Sequence, residues 1–204
     1  YIVRWGDMQM RLKEERQKNA EAELAWLKNQ LNPHFLFNSL NTLISEIGYN
    51  PENAILFTQN LSDVYRYILQ CQQQRLVTLG SELEFLDSYV FLHRVRLGDC
   101  ITVDCRLDES LLEYRLPPLT LQLLAENVIK HNIISLRQPM VLSLSSEDEN
   151  WLVVSNSVRP KKSVQPSGMG LKNLASRYRL VCGQEIIIEK TTELFTVKIP
   201  LLYE

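Results

Sequence analysis

A histidine beside a helix-breaking proline is the first feature of this sequence that could carry chemistry. His34 follows Pro33 in the string LNPHFLFNSLN, whose other residues are typical of an unbroken helix. An interior proline removes a backbone hydrogen bond and crowds the preceding turn, at a cost of about 3 kcal/mol or more. We expect a kink in the helix that presents the imidazole outward. The alternative is a structural histidine whose hydrogen bonds are satisfied at a helix interface. Asn38 lies on the same face one turn later, where its amide could orient a water molecule or phosphoryl group, or bond across an interface.

Three polar residues on one helical stripe form a second candidate site. Asn127, Lys130 and His131 occupy positions i, i+3 and i+4 of the string LQLLAENVIKHNI and therefore share a face. An amide, an ammonium and an imidazole on an otherwise apolar helix suit a phosphate group and its metal ion. Mg²⁺ accepts hard oxygen ligands such as the side-chain carbonyl of Asn127. The solvated face of an amphipathic helix is the alternative interpretation.

Two closely spaced glycines form the third candidate site. Gly168 and Gly170 stand in SGMGLKN, just before a predicted helix, after a polar stretch (157–167) that reads as a mobile loop. Glycines let the backbone approach an anion closely, and the free N–H groups and dipole of a helix N-terminus favour phosphate. Turns use the same spacing constantly, so the pattern is weak alone. A polar loop beside it strengthens the interpretation, because segments that close over ligands have such a composition.

Helical segments are predicted to position the first site. Residues 8–31 form a polar, strongly helical stretch, and the apolar density of 35–47 predicts burial on more than one side. The string GYNPEN is a turn, with Asn50 as a cap, and a second helix follows over 51–73. Two such hairpins from two chains would close a four-helix bundle. A coiled-coil seam, or a helix packed on its own domain, is indicated by the 4-3-4 spacing of Ala20, Leu24, Leu27 and Leu31.

The second half mixes helices and strands without regular alternation. Helices are predicted over 79–97 and 117–133, and again after Gly168. Strands are predicted at ITVDCRL, MVLSLSSE, WLVVSNSV, EIIIEK and LFTVKIPL. This pattern predicts an α+β fold, with helices laid on one face of a mixed sheet.

Composition and charge narrow the function classes. The 204 residues are 45% hydrophobic and 23% charged, as in an ordinary folded protein. Their formal net charge is −2, so the chain lacks the excess positive charge that is typical of proteins that bind nucleic acid directly. No apolar run approaches the roughly 18–20 residues of a membrane span, and the four cysteines read as reduced cytosolic thiols. Because the chain begins at Tyr1, we expect the cytoplasmic portion of an inner-membrane protein, reaching the membrane only through an upstream segment.

Taken together and in this order, the three sites resemble a sensor histidine kinase of the LytS/YehU type. The resemblance rests on LKNQLNPHFLFNSLNTL, LQLLAENVIKHNI and GMGLKNLASRYRL, and it covers nearly the whole chain. It implies a homodimer. Residues 1–75 would form a coiled coil and a dimerisation and phosphoacceptor hairpin, a dimeric four-helix bundle. Residues 76–204 would form an α/β-sandwich ATP-binding domain of the gyrase and histidine kinase superfamily.

The resemblance also implies roles for single residues. His34 would accept the γ-phosphoryl group of ATP, and Asn127 would bind Mg²⁺. From its position one turn after His34, and not from the resemblance, Asn38 could have a phosphatase role. The phosphoryl group would pass to an aspartate of a response regulator, often a LytTR-type transcription factor. The implied nucleotide-binding residues are Asn127, Lys130, His131, Asn156, Gly168, Gly170 and Asn173.

Two departures from the superfamily bear on activity. Its D-x-G-x-G adenine motif is missing, since WLVVSNSV ends in Ser155, Asn156 and Ser157. Asn156 could still bond adenine, but an amide is a weaker acceptor than a carboxylate, which predicts weak nucleotide affinity. A catalytically degenerate homologue that acts as a dimeric scaffold is therefore the alternative to a kinase. Superfamily ATPases carry a water-activating glutamate where this chain has Leu123, so ATP hydrolysis as the main role is disfavoured.

Overall fold

The computed structural model describes residues 33–148, 150–161 and 169–203. The predicted helix over residues 8–31, its predicted coiled-coil seam between Ala20 and Leu31, and the residues before Pro33 that would define the predicted kink lie outside these ranges. Five α-helices and seven strands are described, with 3-10 turns at Cys71–Gln73 and Glu109–Glu113. The helices are α1 (Pro33–Tyr49), α2 (Pro51–Gln70), α3 (Leu79–Leu97), α4 (Thr120–His131) and α5 (Met169–Cys182).

Helices α1 and α2 form the predicted hairpin, and its turn follows the local sequence. The Asn50 side chain accepts a hydrogen bond from the backbone N–H of Asn53 (3.2 Å), and Pro51 opens α2. Asn50 thus provides a partner for a free backbone N–H group in the first turn, and Pro51 has no N–H that needs one. Asparagine and proline are favoured at these two positions of a helix. The predicted helix boundaries at Asn50 and at Gly98 are both confirmed, the latter by a positive φ of 80° that glycine adopts readily.

The apolar segment 35–47 is less buried within the chain than its composition predicts. In α1 only Phe35 and Ser39 are buried, while Phe37 is 66% exposed and Ile44 is 69% exposed. The expectation of burial on more than one side is therefore wrong for the single chain. One face of α1 packs against α2 and α3, and the other presents an apolar stripe to solvent.

A five-stranded mixed sheet forms the core of the second half. Its strand order is β2-β4-β5-β7-β6, in which β2 and β4 are parallel and the other neighbours are antiparallel. The α+β architecture with a mixed sheet is as predicted. The strands of this sheet are β2 (Ile101–Arg106), β4 (Met140–Glu147), β5 (Trp151–Ser157), β6 (Ile187–Lys190) and β7 (Leu194–Pro200).

One face of the sheet carries the hydrophobic core. Along β4, Met140, Leu142 and Leu144 are buried and alternate with more exposed residues, which is the period of a strand with one covered face. The buried side chains of α3, α4 and α5 join these residues in one cluster, which also includes Phe35 of α1. Both halves of the chain therefore contribute to a continuous core, and the domain boundary at 75/76 stays a prediction.

A second, two-stranded sheet was not predicted from the sequence. Strands β1 (Val77–Thr78) and β3 (Arg115–Leu116) pair in antiparallel fashion. This pairing brings the residues before α3 beside those before α4. The Thr78 hydroxyl also caps α3 by accepting from the backbone N–H of Ser81 (3.3 Å). Strands this short have no periodic pattern from which sequence reasoning could identify them.

Candidate nucleotide and phosphoacceptor sites

Helix α4 brings together the predicted Asn127, Lys130 and His131. The helix begins at Thr120 after two prolines and ends at His131, so these three residues occupy its last two turns. With Glu126 and Leu123 they line a cavity of about 180 Å³. Its opposite wall is the start of α5, where Gly170 and Leu171 complete the lining.

Gly170 lies inside a helix and does not precede one. It is the second residue of α5, so the expectation of a glycine just before the helix is wrong for this position. A Cβ added at Gly170 would come within 3.8 Å of Leu123 Cδ2, an ordinary van der Waals contact. Glycine therefore leaves open space at the cavity wall. Gly168, the other predicted glycine, lies outside the described residues.

Several positive charges lie near His131, one of the residues that line the cavity. Burial lowers the pKa of His131, and the ammonium groups of Lys130, Lys161 and Lys190 lower it further. These lysines come from α4, from the segment after β5 and from β6, so three separate elements direct positive charge towards one imidazole. Such clustering of like charges favours an anionic ligand.

Lys161 and Lys190 were missed by the sequence analysis. Lys161 Nζ donates to the carbonyl of Ile129 (2.8 Å), and the Lys161 backbone N–H donates to the carbonyl of His131 (3.0 Å). The segment after β5 is therefore bonded to the C-terminus of α4, where carbonyls lack intrahelical partners. The basic string RPKK was the available signal, but only the fold shows that it reaches α4.

Glu126 is a further cavity residue whose charge state depends on its neighbours. Burial raises the pKa of its carboxyl group, and Lys130 opposes that rise. The carboxylate lines the cavity beside Asn127. No described residue forms a hydrogen bond with the Asn127 amide, which lines the cavity.

Asn156 and Asn173 lie apart from this cavity. Asn156 is buried in β5, opposite Phe195 of β7, and its amide donates to the carbonyl of Ser157 (2.8 Å). Asn173 is exposed on α5, outside the cavity lining. Their roles in nucleotide binding stay predictions that the cavity does not explain.

The second site is the exposed His34 with the half-buried Asn38 one turn later, near the start of α1. The Asn38 amide nitrogen lies 3.1 Å from Nδ1 of His34 and 3.4 Å from Nε2, so it can donate to one ring nitrogen at a time. The imidazole is on the surface of the hairpin, as predicted. An amide at this distance can select which nitrogen of the neutral ring carries the proton.

Phe35 and Tyr89 lie between the two sites. Phe35, directly after His34, stacks on Tyr89 of α3 with ring centroids 5.4 Å apart. Burial raises the pKa of Tyr89, and the nearby charge of Glu126 raises it further. The residue after the candidate phosphoacceptor therefore packs against a ring that lies close to the wall of the candidate nucleotide cavity.

Comparisons with known proteins show similarity to histidine kinases. Residues 22–101 match the sequence model of the histidine kinase family. The chain is 33% identical over 130 residues to the sensor protein LytS of Staphylococcus haemolyticus, a match that covers 64% of this chain and 22% of that protein. It is 31% identical over 193 residues to the sensor histidine kinase YpdA of Escherichia coli, covering 88% of this chain and 34% of that protein.

The chain is thus similar to LytS-type sensor histidine kinases, as its motifs indicated. It spans between about one fifth and one third of these two curated relatives. Among solved structures, the catalytic domain of histidine kinase ThkA is 19% identical, with a TM-score of 0.42 over 63% of this chain and 97% of that chain. No helix in the described ranges is both long and apolar enough to cross a bilayer.

Proposed function

We propose that this chain is the kinase portion of a two-component sensor, which phosphorylates His34 with ATP and passes the phosphoryl group to an aspartate of a response regulator. The observation that carries the proposal is the cavity between α4 and α5. It gathers Asn127, Lys130 and His131 from one predicted motif and Gly170 from another, and Lys161 and Lys190 add positive charge near His131. Phosphoryl transfer depends mainly on such positioning and charge stabilisation.

The residues of the cavity fit the phosphate end of a nucleotide and one metal ion. The Asn127 amide has no hydrogen-bond partner among the described residues, and the Glu126 carboxylate stands beside it in the cavity lining. The described ranges contain no cluster of three or more acidic, histidine or cysteine ligands, so most ligands of Mg²⁺ would be phosphate oxygens and water. A volume of about 180 Å³ is below the roughly 300–1,000 Å³ of whole-ligand pockets, and it suits part of a nucleotide.

His34 would accept the phosphoryl group, and Asn38 would orient it. One ring nitrogen of His34 must present a lone pair, while Asn38 bonds the imidazole and sets its orientation. Bound ATP would supply the γ-phosphoryl group, with Mg²⁺ neutralising its charge. The lysines around His131 would stabilise negative charge that develops on the phosphate oxygens.

The exposed stripe on α1 supports a homodimer. Phe37, Leu40, Ile44 and Ile47 are spaced by three, four and three residues, and each is at least 42% exposed in the single chain. This spacing forms one apolar seam, which a second hairpin would cover in a four-helix bundle. Residues 1–75 would then serve as the dimerisation and phosphoacceptor domain and 76–204 as the ATP-binding domain. The chain would be the cytoplasmic portion of an inner-membrane sensor, with a LytTR-type transcription factor as a candidate regulator.

Labelling with γ-labelled ATP and Mg²⁺ tests the proposal. The native chain should gain an acid-labile, alkali-stable phosphate, and His34→Gln should gain none while still binding nucleotide, because the cavity is intact. Asn127→Ala should lose labelling through loss of the metal ligand, with Asn60→Ala as the control on α2. Circular dichroism checks that each variant keeps the native secondary structure.

Two results would contradict the proposal. Labelling that persists in His34→Gln would remove His34 as the acceptor. A native chain that dimerises but neither binds ATP by calorimetry nor becomes labelled would instead support the degenerate scaffold, the alternative that the missing D-x-G-x-G motif favours.

A further inference from the structure

The carboxylate of Glu82, in the first turn of α3, is completely buried, and both of its oxygens accept hydrogen bonds. Its Oε1 accepts hydrogen bonds from the Tyr67 hydroxyl (2.8 Å) and from the Leu119 backbone N–H (2.7 Å). Its Oε2 accepts from the backbone N–H of Leu121 (2.9 Å). Three donors from two distant parts of the chain therefore converge on one side chain that solvent does not reach.

The N-terminus of α4 lacks a cap of its own. The N-cap residue is Leu119, which has a positive φ of 62° and no side-chain oxygen to accept from the first turn. The first N–H groups of a helix have no intrahelical partner, and an unsatisfied buried donor costs about 1–3 kcal/mol. Glu82 satisfies two of these groups from 37 and 39 residues away in sequence, and its negative charge is favourable at the positive end of the helix dipole.

Such a buried carboxylate has an energetic cost that its partners must offset. Burial raises the pKa of Glu82, whereas the bonds from Leu121, Tyr67 and Leu119 lower it. Arg177 of α5 also lies within electrostatic range of this carboxylate. If this position served only to fill the core, an apolar residue would stabilise the fold more than a buried carboxylate does. We therefore interpret Glu82 as a residue that holds α2, α3 and the start of α4 in a defined arrangement.

Both walls of the nucleotide cavity are anchored at this point. Helix α4 carries Asn127 about 9 Å along its axis from Leu121, at a rise of about 1.5 Å per residue. Helix α5 carries Gly170 at the cavity, and its Arg177 donates to the carbonyl of Pro118 just before α4 (2.7 Å). A shift of the α4 N-terminus would therefore displace both helices that form the cavity.

Tyr67 connects the same point to the phosphoacceptor hairpin. It lies on the last turns of α2, and its ring stacks on Phe85 of α3 with centroids 4.7 Å apart. Its hydroxyl bonds Glu82 directly. One carboxylate thus contacts the hairpin through a side chain and the cavity-bearing helix through its backbone.

We propose that Glu82 is a positioning residue of the nucleotide site, and that the Tyr67–Glu82 hydrogen bond sets the position of the phosphoacceptor hairpin relative to α4. The proposal rests on the proposed kinase function. Glu82 controls the geometry in which nucleotide binds, and Tyr67 controls the geometry in which His34 meets it.

Glu82→Gln tests the first part, with Glu84→Gln as a matched control. Glu84 is an exposed glutamate on the same helix, so its variant makes the same chemical change without the contacts. An amide in place of the Glu82 carboxylate faces a backbone donor with an NH₂ group, which leaves that donor unpaired. We expect amide hydrogen exchange over the first turn of α4 to accelerate at least about tenfold without nucleotide, and the Kd for Mg-ATP to rise about tenfold.

Tyr67→Phe tests the second part and preserves the ring in the core. In this variant Glu82 keeps its hydrogen bonds to the backbone of Leu119 and Leu121 at the start of α4. The Kd for Mg-ATP should therefore stay within about twofold of the native value. The maximal rate of His34 labelling should fall about three- to tenfold, since one hydrogen bond of about 1 kcal/mol fixes the hairpin. A residue with only a packing role would not separate these two quantities.

The outcomes separate this inference from the kinase assignment. If the native chain binds Mg-ATP and labels His34, but Glu82→Gln matches Glu84→Gln in exchange and Kd, the positioning role is wrong. Equal Kd and rate for Tyr67→Phe and the native chain would overturn the hairpin link. A native chain that neither binds nor labels would overturn the proposed function itself, and the role of Glu82 in it.

Discussion

The buried imidazole of His93 lies edge-on to the ring of Tyr89, with ring centroids 4.7 Å apart and planes inclined at 62°. Both residues are on α3, and Phe35 of α1 packs against both rings. Arg96 donates to Nδ1 of His93 (3.1 Å), which places the proton of the neutral ring on Nε2. That nitrogen is buried without a partner among the described residues. The contact between the hairpin and α3 therefore includes an imidazole that must remain neutral.

Acid should destabilise the protein through His93. Burial, with a further contribution from Arg96, lowers the pKa of His93 from 6.5 to about 3. Over that range the unfolded chain binds a proton that the folded chain excludes, so stability present above pH 6.5 is lost as pH falls. Between about pH 7.5 and pH 5 the loss from this residue is about 2 kcal/mol.

Urea unfolding of the native chain and His93→Leu at both pH values measures this loss. The variant cannot titrate, so the difference in unfolding free energy between the two proteins should move by that amount in its favour at the lower pH. An unchanged difference would show that solvent reaches His93 and that it titrates normally in the fold.

Lys161→Gln should raise the pKa of His131. The glutamine amide can still donate to the Ile129 carbonyl, so the substitution removes the charge while retaining the bond. Because nearby positive charge disfavours the imidazolium form, its removal favours protonation. Titration of His131 by NMR gives the shift, and Lys172→Gln on the exposed face of α5 is the control. A pKa that moves equally in both variants would mean that Lys161 is not specifically close to His131.

Asn38→Ala should slow dephosphorylation of a regulator more than it slows labelling of His34. The amide bonds the imidazole and remains near the surface, where it can orient water. Both rates can be measured with the regulator that accepts label from His34. Asn41→Ala, an exposed asparagine on the same helix, is the control. Equal slowing of both reactions by Asn38→Ala would favour a packing role.

Ile44→Glu should weaken the proposed homodimer. The side chain is 69% exposed in the single chain and belongs to the apolar stripe of α1, so a carboxylate there would be buried unpaired in a four-helix bundle. Sedimentation equilibrium should show a monomer or a dimer with at least about tenfold weaker association. Leu180→Glu makes a similar change at an exposed residue of α5 and should leave association unchanged. A dimer unaffected by Ile44→Glu would place the interface elsewhere.

Local signals account for the parts of the fold that were predicted well. The Asn50–Pro51 start of α2 and the glycine end of α3 depend on caps encoded within a few residues. Each strand of the large sheet was recognised from its own apolar pattern. The burial of 35–47 could not be judged in this way, because periodicity shows that a helix face is apolar and not which molecule covers it.

The sequence alone identified the residue types that could carry chemistry and their spacing along each helix. At the first site these are an imidazole and an amide one turn away, and at the second an amide, an ammonium and an imidazole on one stripe. The tertiary structure decided which distant residues complete these sites. Lys161 and Lys190 surround His131, and Glu82 caps a helix 37 residues away, because electrostatic and hydrogen-bond partners depend on distance in space. Periodicity within a segment determines which face a residue occupies, whereas the packing of segments determines what that face meets.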